Sequence, residues 1–432
     1  MVKIMSNTIN NENNIEIKKE TLLNNDQNQS SKKAILIYYG ITVVAVLLIV
    51  IIVFIIAVQL GGTSSIKTKN NFFLAKCISE ENSTIKLFNS NLIILISSMK
   101  IDNKNVNISN EFFFTSKGTH TIEVFLKNEL NSMEKLFQGC SNLTEIDISQ
   151  IEAKNISTMA EMFYDCSKLT SVDLSKMDTS KVINMSNLFN GCFNLKTINL
   201  SNLDTSNVEF MNFMFHACIN LKSLDLKNFN TLKVKNMTGM FYRCNSLENL
   251  DISNFNTSEV LSMKMMFDSC MSLDYLNLSN FDTSKVTDMS YMFASSSIKS
   301  IDLSKFNTKE VIKMNNMFYG CISLKEIDLS LFNTANLEEM GNMFYNCKII
   351  TSLNLSNFVT NKVKNMGAAF GKCIKLSYLD IRKFSSKFII RNNSFPDISE
   401  NGTIFYNSEI FDIFLFNKTN IENWNKYNVI NI

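Results

Sequence analysis

The residues best equipped for chemistry in this 432-residue chain are its cysteines and a regularly spaced set of acids. Cys140, Cys166, Cys192, Cys218, Cys244 and Cys270 follow one another at intervals of 26 residues. Ser296 holds the next position, and after a one-residue deletion the series resumes at Cys321, Cys347 and Cys373. Thiolates ligate zinc, form disulfides or serve as redox centres. Zinc sites bring cysteines together in close pairs such as C-x-x-C, and this chain has none. In-register cysteines on neighbouring coils would have Cα atoms about 5 Å apart, which a disulfide permits. Their side chains would point the same way, however, and that strains the bond. Ser296 also interrupts the ladder without disturbing the pattern around it. Three readings remain open: a column of small buried thiols, which these points favour, disulfides at some positions, or a metal site. Cys77 stands outside the ladder.

The second set is Asp147, Asp173, Asn199, Asp225, Asp251, Asn277, Asp302, Asp328, Asn354 and Asp380. Each sits between two apolar residues, so on a strand it faces outward. Its seven carboxylates repel one another when stacked. Ligand cations, Ca²⁺ or an adjoining column with Lys196, Lys222 and Lys325 would offset that repulsion. The column is therefore a candidate binding strip on a concave face, for a basic or polyhydroxyl ligand. The competing reading, favoured because the column belongs to the repeat itself, is a structural ladder bonded to backbone and Ser hydroxyls. Tyr275 and Tyr378, two residues before members of the column, vary from repeat to repeat and are better candidates for specificity.

Little else suggests catalysis. His120 and His216 are the only imidazoles, and imidazole is the commonest general base near neutrality and the commonest metal ligand. G-x-G-x-x-G, P-loop, H-E-x-x-H and G-x-S-x-G motifs are all missing. A net charge of +2 offers no basic field for nucleic acid. The expectation is a protein that is not an enzyme, has no cofactor or resident metal, and does not bind nucleic acid.

The elements that position these columns are repeats. Aligned on the cysteines, each repeat carries L-x-x-L-x-L-S, as at Leu221, Leu224 and Leu226, and then V-x-x-M-x-x-M-F, as at Val286, Met289, Met292 and Phe293. The apolar-polar-apolar step of the first part has the period of a strand. Apolar residues at i, i+3, i+6 and i+7 in the second predict a short helix. The preceding D/N-T-S, as at Asp178, Thr179 and Ser180, would cap it. One strand and one helical turn cannot bury an apolar side alone, so the repeats must stack, Leu on Leu, Met on Met and Phe on Phe. The Phe column runs Phe137, Phe163, Phe189, Phe215, Phe241, Phe267, Phe293, Phe318, Phe344 and Phe370, ten rungs in all. The expected fold is an α/β repeat solenoid of leucine-rich-repeat type over residues 131–386, parallel strands on one face and short helices on the other.

The pattern M-F-x-x-C-x-x-L-x-x-L-D-L-S-x-F-[DN]-T-S-x-V-x-x-M resembles the BspA-like leucine-rich-repeat family of surface proteins. That resemblance implies a cell-surface location and adhesion or host interaction, and it carries over no catalytic residue.

The flanks complete the expected organisation. Residues 34–58 read AILIYYGITVVAVLLIVIIVFIIAV without a charge. At about 1.5 Å per residue this predicts a membrane-spanning helix long enough for a hydrocarbon core of about 30 Å. Lys18, Lys19, Lys32 and Lys33 precede it, and Lys67, Lys69 and Lys76 follow at a greater distance. Positive charge prefers the cytoplasm. Residues 1–33 are thus expected as a disordered cytoplasmic tail and 59–70 as a linker. Residues 71–130 read as a β-rich N-terminal domain or cap, and 387–432 as a C-terminal cap. The expected whole is a single-pass plasma-membrane protein with its repeats outside. Its role would be adhesion or ligand recognition, binding a protein or glycan of a host or neighbouring cell. The alternatives are a structural coat associating laterally or a receptor ectodomain.

Overall fold

The computed structural model describes residues 71–385, 397–406 and 424–428. Among them no helix is long and apolar enough to cross a membrane. The apolar segment 34–58, with the tail and linker beside it, lies outside the described residues.

Residues Asn70–Ile432 form one compact unit. It opens with β1 (Phe72–Ser79), β2 (Ser83–Lys86), a short 3₁₀ turn (Ser90–Leu95), β3 (Ile96–Ile101), β4 (Lys104–Val106), β5 (Glu111–Phe114) and β6 (Gly118–Leu126). Strict alternation in β1 sends Phe73, Ala75, Cys77 and Ser79 inward. The repeats contribute β7 (Leu143–Asp147), β8 (Ser171–Asp173), β9 (Thr197–Asn199), β10 (Ser223–Leu224), β11 (Asn249–Leu250), β12 (Ser352–Asn354) and β13 (Tyr378–Asp380). One sheet runs β4-β3-β6-β1-β7-β8-β9. Antiparallel β1 lies directly on the first repeat strand, with Leu74 opposite Asp147, so the β-rich segment covers the open edge of the stack. At the other end β14 (Thr403–Tyr406) and β15 (Asn425–Asn428) continue the parallel sheet after β13, although the repeat has faded from the sequence there. Trp424 is buried in this end, its indole N–H donating to Ser399 O at 3.0 Å.

The repeat region is a β-solenoid, and the expected helical face is not helical. The V-x-x-M-x-x-M-F segments form turns in every repeat. In the fourth, the amides of Met211, Phe213, Phe215 and Ala217 donate to Asn236, Thr238, Met240 and Tyr242 of the next coil at 2.7–3.1 Å. The same four-bond set joins each successive pair of coils from Met133 to Asn346. Between these amides, Met214 N bonds Met211 O, His216 N bonds Phe213 O and Cys218 N bonds Phe215 O. Such i→i+3 turns put residues i and i+3 on one side, as a helix does. The apolar spacing therefore could not tell the two apart. A helix would have spent these N–H groups on its own carbonyls and left none for the neighbouring coil. Turning them outward requires left-handed backbone twice per coil, at Phe213 and Ala217 or at Met265 and Ser269, for example.

Side chains stack on this ladder. Along the ten-ring column, adjacent Phe centroids lie 5.4–6.2 Å apart with planes within 2–11° of parallel, and most of these rings are fully buried. All ten cysteines are free and buried. Ladder thiols donate to the Phe carbonyl of the preceding coil, Cys166 to Phe137 at 3.1 Å and Cys347 to Phe318 at 3.1 Å. Burial pushes the Cys244 and Cys321 thiols up to about 12.

The D/N-T-S segments divide their work differently from a helix cap. Asp178 Oδ1 accepts from Ser180 N in a local turn. The Thr hydroxyl is buried and spans two coils: Thr231 Oγ1 donates to Asn256 O at 2.8 Å and accepts from Asn256 N at 2.8 Å. Replacing Thr231 by Val leaves that amide and carbonyl unsatisfied, and should cost about 2–3 kcal/mol in chemical denaturation. Phe267→Ala should cost about 3–5 kcal/mol through the cavity it leaves. An unchanged denaturation midpoint in either variant would contradict this packing.

Candidate functional site on the strand face

The outward Asp/Asn column is held by its own backbone. Asp147, Asp173, Asn199, Asp251, Asn277, Asp302, Asp328 and Asn354 each accept, through Oδ1, the amide of the residue two further on, at 2.8–3.2 Å. Lys227 N bonds Asp225 and Arg382 N bonds Asp380 in the same way. Each side chain thus closes the turn that follows it, and Asp225 also pairs through Oδ2 with Lys227 Nζ at 2.9 Å. All are exposed except Asp380, which is buried and paired with Arg382 through two bonds of 3.0 Å from Nε. Tyr378 packs on Phe405 of β14, with centroids 5.6 Å apart, and is half-buried. That end of the column is therefore covered by the following coils.

The column opens into a groove where the deletion falls. Cys270 and Leu273 are three residues apart, whereas Ser296 and Ile298 are two apart. Lys299 N reaches Asp274 O only at 3.5 Å. The chain forms no strand between Leu250 and Ser352, although Leu276, Leu278, Ile301 and Leu303 still point inward. A groove of about 490 Å³ lies over three coils here, lined by Tyr275 to Ser279, Ser300 to Asp302 and Glu326 to Asp328. Short Ser300 lies between the larger Tyr275 and Glu326 of the neighbouring coils, and Tyr275 is 71% exposed. The structure thus brings together Tyr275, Asn277, Asp302 and Asp328 from the sequence candidates and adds Glu326. It places Asp147, Asp173, Asn199, Asp225, Asp251 and Asn354 on the same face outside the groove. The amides of Ser304 and Ser330 hold the Asp302 and Asp328 carboxyls below their ordinary range, while the charge of Asp302 pushes Asp328 up. Among the described residues no three His, Cys, Asp or Glu side chains converge as a metal would require.

The turn face carries a cluster that sequence reasoning passed over. His216 stacks on Tyr242 at 4.6 Å and bonds Asn190 Oδ1 at 2.8 Å through Nδ1, while its Nε2 is buried without a partner. Burial, with Arg243 adding to it, lowers His216 to about 4. One coil beyond Tyr242, buried Asp268 accepts from Ser269 Oγ at 2.8 Å, and burial raises it to about 6. These residues occupy one column of the repeat, a position that varies too much between coils to read as a pattern.

A carboxyl whose folded pKa is raised favours folding below its unfolded value and loses that contribution as pH rises through about 6. His216, being lowered, contributes above its ordinary range and loses that contribution as pH falls through about 4. Asp268→Asn should therefore stabilise the protein by about 2–3 kcal/mol at pH 7.5, the gain vanishing below about pH 4. Denaturation curves across that range check it, and a gain independent of pH would exclude ionisation of Asp268 as the cause.

A leucine-rich repeat protein from Bacteroides ovatus is similar at 15% identity over 62% of this chain and 85% of its own, with a TM-score of 0.20. No curated protein matches. The family described as "Mycoplasma protein of unknown function, DUF285" matches at residues 73–173, 106–196, 169–276 and 261–384. Those overlapping matches span the N-terminal β-unit and all ten repeats, well over half the chain, and the protein belongs to that family.

Proposed function

We propose that this protein is a membrane-anchored, non-enzymatic recognition protein of the cell surface, whose strand face binds a protein or glycan in adhesion. One observation carries the reading. The stack holds a row of outward Asp and Asn side chains in register, each tied to its own backbone, and all but Asp380 are exposed. Repeated weak contacts along such a row add up without any single strong one. The likeness of the repeats to BspA-like surface proteins supports adhesion. The charge-free segment 34–58, with lysines before it, supports a single-pass anchor with the N-terminus in the cytoplasm and the repeats outside.

A second reading, a coat in which solenoids associate side by side, draws on the corner column after the cysteines. Phe193, Met271, Ile322 and Ile374 there are 40–53% exposed. Lateral association would cover them.

Two measurements on intact cells test these readings. Protease added outside should remove an epitope placed after Ile432 and spare one placed before Met1; the reverse pattern would overturn the topology. Deleting the gene should lower attachment to host or neighbouring cells if recognition is the role. Unchanged attachment, together with a surface layer lost on deletion, would favour the coat.

A further inference from the structure

Resting on the recognition role proposed above, we infer that the groove over Ser300 takes a cationic side chain, an arginine or lysine offered by a protein partner. The groove has an aromatic wall in Tyr275, apolar floor positions in Ile301 and Ile327, and an acidic side in Asp302, Glu326 and Asp328. It has three carboxylates and no Lys, Arg or His among its lining residues. Lys299, the base on the middle coil, pairs with Asp274 at 2.7 Å.

Each part of a long cationic side chain has a counterpart here. Its methylene stem can lie on Ile301 and Ile327, since such stems bury readily while the head stays polar. The head can rest on the open face of Tyr275, where the ring quadrupole attracts a cation. Carboxylates at the edge accept charge-assisted bonds, and a guanidinium can serve two at once. A neutral sugar could use the ring and the acceptors. It would leave the repulsion between Asp302 and Asp328 in place, whereas a cation relieves it. The groove, about 490 Å³ and open to solvent, has room for one such side chain.

The column itself supplies fold-neutral variants. Asn already closes the same turn at 199, 277 and 354, and Ser already fills the Tyr275 position at 171, 223, 300 and 352. Full-length protein in lipid nanodiscs would be titrated into a fluorescein-labelled tetra-arginine peptide at physiological ionic strength, read by anisotropy. Saturable binding is expected, weakened about tenfold or more by Asp302→Asn with Asp328→Asn, and several-fold by Tyr275→Ser. Asp178→Asn with Asp282→Asn, at exposed D/N-T-S positions outside the strand-face row that carry Asn at 230, 256 and 307, should leave binding unchanged, and thermal midpoints should agree across all variants. Equal weakening by both acid pairs, no loss from the groove pair, or displacement of the peptide by a neutral cello-oligosaccharide would each overturn the inference. Cell attachment separates the two levels. Attachment that persists in the groove pair removes this site but keeps the surface role, whereas attachment indifferent to deletion of the whole gene removes the role.

Discussion

Everything in this structure depends on how the turn-face amides are aimed. Four peptide groups per coil stand parallel to the stack, N–H toward the next coil and C=O toward the previous one. Their dipoles therefore add along the array in the sense opposite to an α-helix, with carbonyls exposed at the N-terminal end. The N-terminal β-unit meets them there, Lys86 Nζ donating to Gln138 O at 2.6 Å and Asn89 N to Leu136 O at 2.8 Å. The cap thus does two jobs, covering a sheet edge with β1 and satisfying the carbonyl pole with a cation and an amide.

Because the turn ladder is complete and the strand ladder is not, cohesion and the proposed binding row fall on different faces. Phe rings, cysteine thiols and threonine hydroxyls all act between coils, and each is a group small or flat enough to repeat at the coil spacing. The left-handed positions oppose this, since non-glycine residues such as Tyr291 and Arg243 adopt positive φ at a cost of about 1 kcal/mol or more each. The inter-coil bonds outweigh it. Relieved of holding the stack, the strand face can tolerate a deletion at Ser296 to Ile298 and open over three coils.

In the polar column a structural role and the proposed recognition role share one residue. One oxygen of each Asp closes a turn, which explains why Asn substitutes for it freely, since both offer the same acceptor. The remaining oxygen distinguishes the two, carrying charge at Asp302 and Asp328 and none at Asn277. Charge on this face can therefore change from coil to coil while the same turn is closed.

The 26-residue spacing of Cys166 and Cys192, the Phe column and the paired Leu positions together determined that coils stack in register, because only stacking buries a coil too small to bury itself. They also determined which residues face in, and the one place where the period slips. The helix expected at V-x-x-M-x-x-M-F was beyond that evidence. Spacing of i and i+3 reports which side a residue lies on, while helix and turn differ only in whether an amide bonds its own coil or the next. The two-coil bonds of Thr231 and the burial of Asp268 were hidden for the same reason, since Asn256 lies 25 positions from Thr231 and Arg243, which bonds the Asp268 carbonyl, belongs to the preceding coil. Tertiary structure alone decided that Tyr275 and Asp328, two coils apart, flank one groove while Tyr378 and Asp380 are closed over, because exposure depends on what the following coil covers.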